Sequence, residues 1–220
     1  MERRNLSCLF IAQIEEVMMK KLFIAGAFLA TVAQAQAAQN YNYSYFQVSG
    51  GFDYREVPGA EIDGQSYSLG AQYELEALPV VLKADFNKGS FEQELVKGTD
   101  WDYSTFSLGM DYVFSASEKV DFLPGIMASK VTNKIVVGDA LNKIENTVYT
   151  ASLNTRYHLE KGLWLNAVIA HESFKDDDID SETYFSVGAE YKVDEAWAFG
   201  LSHTNKNDEG STRFLVKIFY

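Results

Sequence analysis

From residue 46 onward, apolar side chains recur at every second position, in short runs broken by turn residues. Phe46, Val48, Gly50, Phe52 and Tyr54 form the first stripe. Nine more follow, at alternate positions over 67–75, 80–86, 106–114, 122–128, 149–159, 163–169, 185–193, 197–201 and 214–220. A period of two predicts strands, since an amphipathic helix would repeat near 3.6. None of the stripe positions is charged. The opposite face is polar or small, as in Ser68, Gly70, Gln72 and Glu74, or Ser107, Gly109 and Asp111. The stripes at 122–128 and 163–169 are the least clear, because Leu123, Met127, Trp164, Val168 and Ala170 place apolar groups on both faces. Pro124 lacks a ladder donor and predicts a bulge or irregularity in its strand.

Two environments produce such a pattern. In a soluble sandwich or lipocalin-like barrel the apolar face is the core. In a membrane barrel it meets lipid, and the polar face lines the lumen. Three features favour lipid. Gly51, Gly70, Gly109 and Gly188 recur mid-strand on the polar face, where a crowded interior wants small residues. Tyr54, Tyr73, Tyr112, Phe114, Tyr157, Tyr191, Trp197 and Tyr220 fall near strand ends on the apolar face, as interfacial girdles do. Tight connections at 76–79, 115–119, 160–162 and 194–196 alternate with longer ones at 55–65, 88–100, 132–145, 175–182 and 205–211. Hydrocarbon offers no partner to an open sheet edge, so the sheet must close. The prediction is an all-β, antiparallel up-and-down transmembrane β-barrel of ten strands, with eight as the alternative, over residues 38–220.

The first residues read as an address. Lys20 and Lys21 precede an uncharged apolar run, Leu22 to Val32, and Ala35-Gln36-Ala37 is a small-x-small cleavage site. This is the layout of a secretory signal peptide over residues 19–37. Residues 1–18 do not fit it and read as a start-site extension ahead of Met19. The single Cys, Cys8, lies in that extension.

The chain has 220 residues and a formal charge of −12, from 19 Lys+Arg and 31 Asp+Glu. That balance argues against nucleic-acid binding, which needs a basic footprint. One Cys excludes an internal disulfide framework and a Cys-rich zinc site.

The C-terminus alternates Phe214, Val216, Ile218 and Tyr220 up to a terminal aromatic residue. With the opening Gln39-Asn40-Tyr41-Asn42-Tyr43 and the segments Tyr67-Ser68-Leu69-Gly70 and Phe106-Ser107-Leu108-Gly109, it resembles small Gram-negative outer-membrane β-barrel proteins of the porin-family, OmpX-like type. The resemblance implies the cell outer membrane, a monomer without cofactor, and partners among outer-membrane lipid and lipopolysaccharide. It also implies periplasmic chaperones and the barrel-assembly machinery, which in that family reads such an ending as its signal.

Candidate chemistry is sparse. His171 with Ser173, and His203, sit near outer strand ends and would serve a lipid-modifying enzyme. That alternative is not adopted, because the register points both His171 and Ser173 at lipid. Asp176, Asp177, Asp178 and Asp180 form an acidic loop without EF-hand spacing, and no metal site is expected. The polar face carries Glu74, Lys83, Asp85, Asp111, Arg156, Glu190, Lys192 and Lys217, which predict a lumen charge network. Barrels of about eight strands are filled by side chains, whereas open channels need about 16. The expected role is therefore structural or surface-interacting, through outer loops. A narrow channel for small solutes or ions is the alternative.

Overall fold

The computed structural model describes residues 41–57, 60–92, 99–137, 140–176 and 179–220. The signal-peptide reading, with Ala35 and Ala37, and the 1–18 extension lie outside the described residues, as do Asp177 and Asp178.

Among the described residues every regular element is a strand: β1 (Tyr45–Val57), β2 (Ala60–Glu74), β3 (Val80–Glu92), β4 (Thr99–Tyr112), β5 (Phe114–Ser117), β6 (Val120–Val137), β7 (Ala140–Glu160), β8 (Leu163–Phe174), β9 (Glu182–Lys192), β10 (Trp197–Lys206) and β11 (Glu209–Phe219). The short β5 prolongs β4 after a break at Val113, and both pair with β6, so the eleven segments make ten staves. Neighbours in sequence are antiparallel neighbours in space. The seam closes between β1 and β11, from Tyr45 opposite Phe219 to Arg55 opposite Glu209. The result is a closed up-and-down barrel of ten staves, not eight.

Closure follows from the register of the stripes. Phe106, Leu108, Phe185 and Val187 are each more than half exposed on the outer wall, while Arg156 is 3 % exposed inside. An inverted arrangement would hide these apolar groups and expose the charges. Toward the inner rim the wall carries Tyr73, Tyr157, Tyr191, Trp197 and Tyr220, all exposed, as an interfacial belt does. Inside, the wall is crowded. A Cβ on Gly109 or Gly188 would press on the backbone carbonyl of Ile126 or Leu201.

The inner connections are tight. Between β7 and β8, Lys161 and Gly162 both adopt positive φ (49° and 82°), the backbone of a two-residue hairpin turn that favours glycine. The outer connections differ from the sequence reading. The segments 55–65 and 132–145 are largely strand, because β1 continues to Val57, β6 runs to Val137 and β7 starts at Ala140. The period of two persists there among polar residues. Outward Glu61, Asp63 and Gln65 alternate with buried Ile62, Gly64 and Ser66. No apolar stripe marks such a strand once it leaves the bilayer.

Pro124 also acts on its neighbour. Along β6 the register with β7 runs through Pro124 without a shift. Across the other edge, Asp111 faces Gly125 and Phe114 faces Phe122, so the break between β4 and β5 lies opposite Pro124. The Val113 N–H turns instead to the carbonyl of Pro79 (2.7 Å).

Candidate functional site: the two halves of the lumen

The inner half is filled. Tyr41 and Tyr43 precede β1 and, with Tyr45, keep the inward parity of that strand. All three are buried with Val81, Val113, Leu123, Trp164, Ala198 and Phe219. Tyr41 meets Trp164 and Phe219 edge-on, with centroids 5.1 and 5.7 Å apart. Such aromatic contacts add about 0.5–1.5 kcal/mol each beyond their area. Burial raises the phenol pKa of both Tyr41 and Tyr43, so each hydroxyl stays protonated and can donate.

They donate into a cluster of buried charge. Arg156 Nη2 lies 3.1 Å and Lys217 Nζ 2.5 Å from Glu190 Oε2, while Tyr41 donates to Glu190 Oε1 at 2.5 Å. Two cations share one carboxylate. The aromatic rings take up part of the excess. The Arg156 guanidinium lies 3.5 Å from the Tyr41 centroid, and Lys217 Nζ is 4.2 Å from that of Tyr45. Arg156 also donates from Nε to Asn166 (2.9 Å). Beside this cluster Lys83 pairs with Asp111 (2.6 Å), and Asp121 accepts from Tyr43 (2.7 Å) and Ser115 (2.5 Å). Buried charges need such pairing, because an uncompensated one costs several kcal/mol.

The structure thus brings Arg156, Glu190 and Lys217 together and places Lys83 with Asp111 as a second pair. Glu74 stands by the entering chain and accepts from the backbone N–H of Tyr43 (3.4 Å). Lys192 lies over the Phe219 ring, 4.8 Å from its centroid. Asp85 lines the outer half. The sequence reading gave no lumen role to Tyr41, Tyr43 or Asp121. Their signal was parity, since each falls an even number of residues from an inward position.

The outer half is an open cup of about 550 Å³. The Arg55 guanidinium sits over Trp101 (4.3 Å to the centroid) and Phe91 (5.4 Å), and it pairs with Glu209. Tyr103 donates to Asp53 (2.5 Å), with Arg213 3.8 Å from the other carboxylate oxygen. Lys206 bridges Glu172 (2.7 Å) and Glu182 (2.9 Å). The charged lining is Asp53, Asp85, Glu172, Glu182 and Glu209 against Arg55, Lys206 and Arg213. That balance gives the cup a negative field.

The histidines of the enzymatic alternative face outward. His171 Nδ1 bonds the Thr183 hydroxyl (3.0 Å) and His203 Nδ1 that of Thr212 (2.9 Å). Ser173 is exposed on the same outer wall, and Asp176 and Asp180 are exposed at the outer rim. Among the described residues no cluster of three His, Cys, Asp or Glu side chains is arranged to hold a metal ion.

A closed barrel with a lipid-ready wall and a polar, ion-paired lumen defines an integral outer-membrane β-barrel. The sequence matches the family described as the autotransporter beta-domain over residues 81–202, more than half of the chain, and it belongs to that family. It is a protein of the Gram-negative outer membrane. Among curated proteins none matches its sequence. Among solved structures, the NanC porin shares the fold at 10% identity with a TM-score of 0.51, covering 80% of this chain and 100% of its own. The translocator domain of autotransporter NalP from Neisseria meningitidis aligns at 11% identity and a TM-score of 0.49, covering 93% of this chain and 98% of its own. Neisserial surface protein A aligns at 13% and 0.45, covering 80% and 96%.

Proposed function

We propose that this protein is a non-conducting outer-membrane barrel that acts at the cell surface through its outer hairpins and cup. The observation that carries this reading is the filled inner half of the lumen. There Tyr41, Tyr43, Leu123 and Trp164 are each 3 % exposed or less, and Arg156, Glu190 and Lys217 are locked to one another. A solute entering the cup meets a packed floor. Opening a path would require breaking buried ion pairs, each costing about 3–5 kcal/mol when one partner is lost. In this reading the ten staves are a scaffold, and recognition lies in what they hold above the bilayer.

The narrow channel is the second reading, favoured by the cup and its negative field. Purified protein in planar bilayers separates the two. The expected record is flat, and steady cation-selective steps would overturn the proposal. During biogenesis, periplasmic chaperones and the assembly machinery would meet β11. Its Phe214, Ile218 and Tyr220 are exposed on the closing strand, with Val216 half-buried between them.

A further inference from the structure

One strand carries an open edge. β6 and β7 are the longest strands, at 18 and 21 residues, and they stay paired out to Val137 opposite Ala140. On its other side β7 meets β8 only from Val148, opposite Phe174, inward. A last bond runs from the Lys175 N–H to the Thr147 carbonyl (2.8 Å). Among the described residues no strand pairs with that side of β7 over 141–146. Alternate residues of a strand turn their backbone groups to the same side. The Thr147 carbonyl turns away from β6, and the β6–β7 register has no shift here, so the N–H and C=O of Lys143 and Glu145 turn away too. The Thr147 N–H is taken by the Asn146 side chain (2.7 Å), which closes the edge at its inner end.

An unpaired edge is a template for another strand, and charged side chains ordinarily guard it. Here the guards are Lys143 and Glu145, both exposed, with Nζ 2.5 Å from Oε1. Their order decides which strand fits. The segment Asn142-Lys143-Ile144-Glu145-Asn146 is complementary to itself when reversed. Laid antiparallel on a second copy and centred on Ile144, Asn142 meets Asn146, Lys143 meets Glu145 and Ile144 meets Ile144. The two Lys143–Glu145 pairs fall at hydrogen-bonded positions and exchange four backbone bonds. Ile144, half exposed in the single chain, falls at the closer, non-hydrogen-bonded position, where Cα atoms approach to about 4.5 Å. Sliding the register by two residues sets Lys143 against Lys143 or Glu145 against Glu145, which like-charge repulsion disfavours.

We propose that this edge binds a second copy of the same chain, β7 against β7, antiparallel about Ile144. Strands running in opposite directions point the two barrels at one another, so the copies belong to facing membranes. The inference rests on the reading that the outer hairpins act at the cell surface, and it names a partner for one of them. From Tyr149, exposed on the outer wall, the strand climbs about 13 Å to Ile144, allowing for stave tilt. The two Tyr149 levels then stand about 25 Å apart. Contact therefore requires short surface sugars, and long polysaccharide chains hold the edges apart. A single pairing of this length is weak, and many copies on two facing cells add up.

The test is clumping of two differently labelled populations of a Gram-negative host with truncated lipopolysaccharide, each displaying the full-length protein. Wild-type cells are expected to clump, and cells without the protein to stay dispersed. Lys143→Glu sets acid against acid, and Glu145→Lys sets base against base. Each variant alone is expected to lower clumping at least tenfold. Mixed together, the two are expected to regain it, because each brings the charge the other lacks. The heat-dependent gel shift of outer-membrane fractions checks that every variant is folded and equally abundant. Wild-type cells that stay dispersed, single variants that clump like wild type, or a mixture that stays dispersed each overturn the proposal. A flat planar-bilayer record beside any of those results leaves a non-conducting surface barrel with another partner, so the two readings fail separately.

Discussion

Arg156 and Glu190, in the inner half of the lumen, are 3 % and 1 % exposed; Lys206 and Glu172, a pair of the same kind in the outer half, are 23 % and 17 % exposed. The two pairs are built from the same inward parity of the same closed sheet, and only the depth of water differs. In the inner half each charge depends on its neighbours, because the desolvation it suffers is offset only by correct pairing. In the outer half water shares the load, and a pair can be remade or lost at little cost. The difference teaches where this barrel keeps its rigidity and where it leaves room to vary.

The comparison breaks most readily at Glu190. Glu190→Ala leaves Arg156 and Lys217 as buried cations without a carboxylate, and the expected loss is about 3–5 kcal/mol. Glu172→Ala in the cup is expected to cost no more than about 1 kcal/mol. Urea unfolding of protein refolded into lipid vesicles, followed by tryptophan fluorescence, measures both. Equal losses would erase the distinction between the halves.

A finer probe removes one hydroxyl. Tyr43→Phe deprives Asp121 of a donor while Ser115 still serves it. The expected loss in the same assay is about 1–2 kcal/mol. The smallest effect is expected at Arg55. Arg55→Ala gives up its placement over Trp101 and Phe91 and should cost about 0.5–1 kcal/mol. The emission of Trp101 should shift as the cation leaves its ring, which reports the local change even where stability barely moves.

Much of the barrel was legible in the residues because lipid imposes a simple demand. Each stripe from Phe46–Tyr54 to Phe214–Tyr220 had to stay uncharged, and that pattern, read with the small residues of the polar face, the aromatic strand ends and the loop rhythm, predicts ten staves and their facing. The lumen pairs were legible by parity, with Arg156 and Glu190 on the polar face. Their partners were less so, because which cation reaches Glu190 depends on how far the staves slide past one another, and no local pattern records that. The plug was hidden for another reason. Tyr41 and Tyr43 lie before the first stripe, and although they share the inward parity of β1, parity alone does not say that the chain turns into the cylinder ahead of the strand. The hairpin arms beyond the bilayer were read as loops because polar residues break the apolar stripe at their outward positions, as at Thr132 and Lys134.

The continuation of β6 and β7 past the membrane sets a reach. Between Lys130 and Val137 the paired arm extends about 18 Å along the barrel axis, allowing for stave tilt. A hydrogen-bonded ladder of that length behaves as a stiff mast. Its exposed Leu141 and Ile144 are held at a set height above the lipid instead of sweeping a volume. Whatever touches Leu141 or Ile144 meets side chains carried on a paired ladder, so contact is not taxed by freezing a loose chain. Lengthening or trimming the mast by whole residue pairs would change how far from the cell this protein can touch, without altering what it presents.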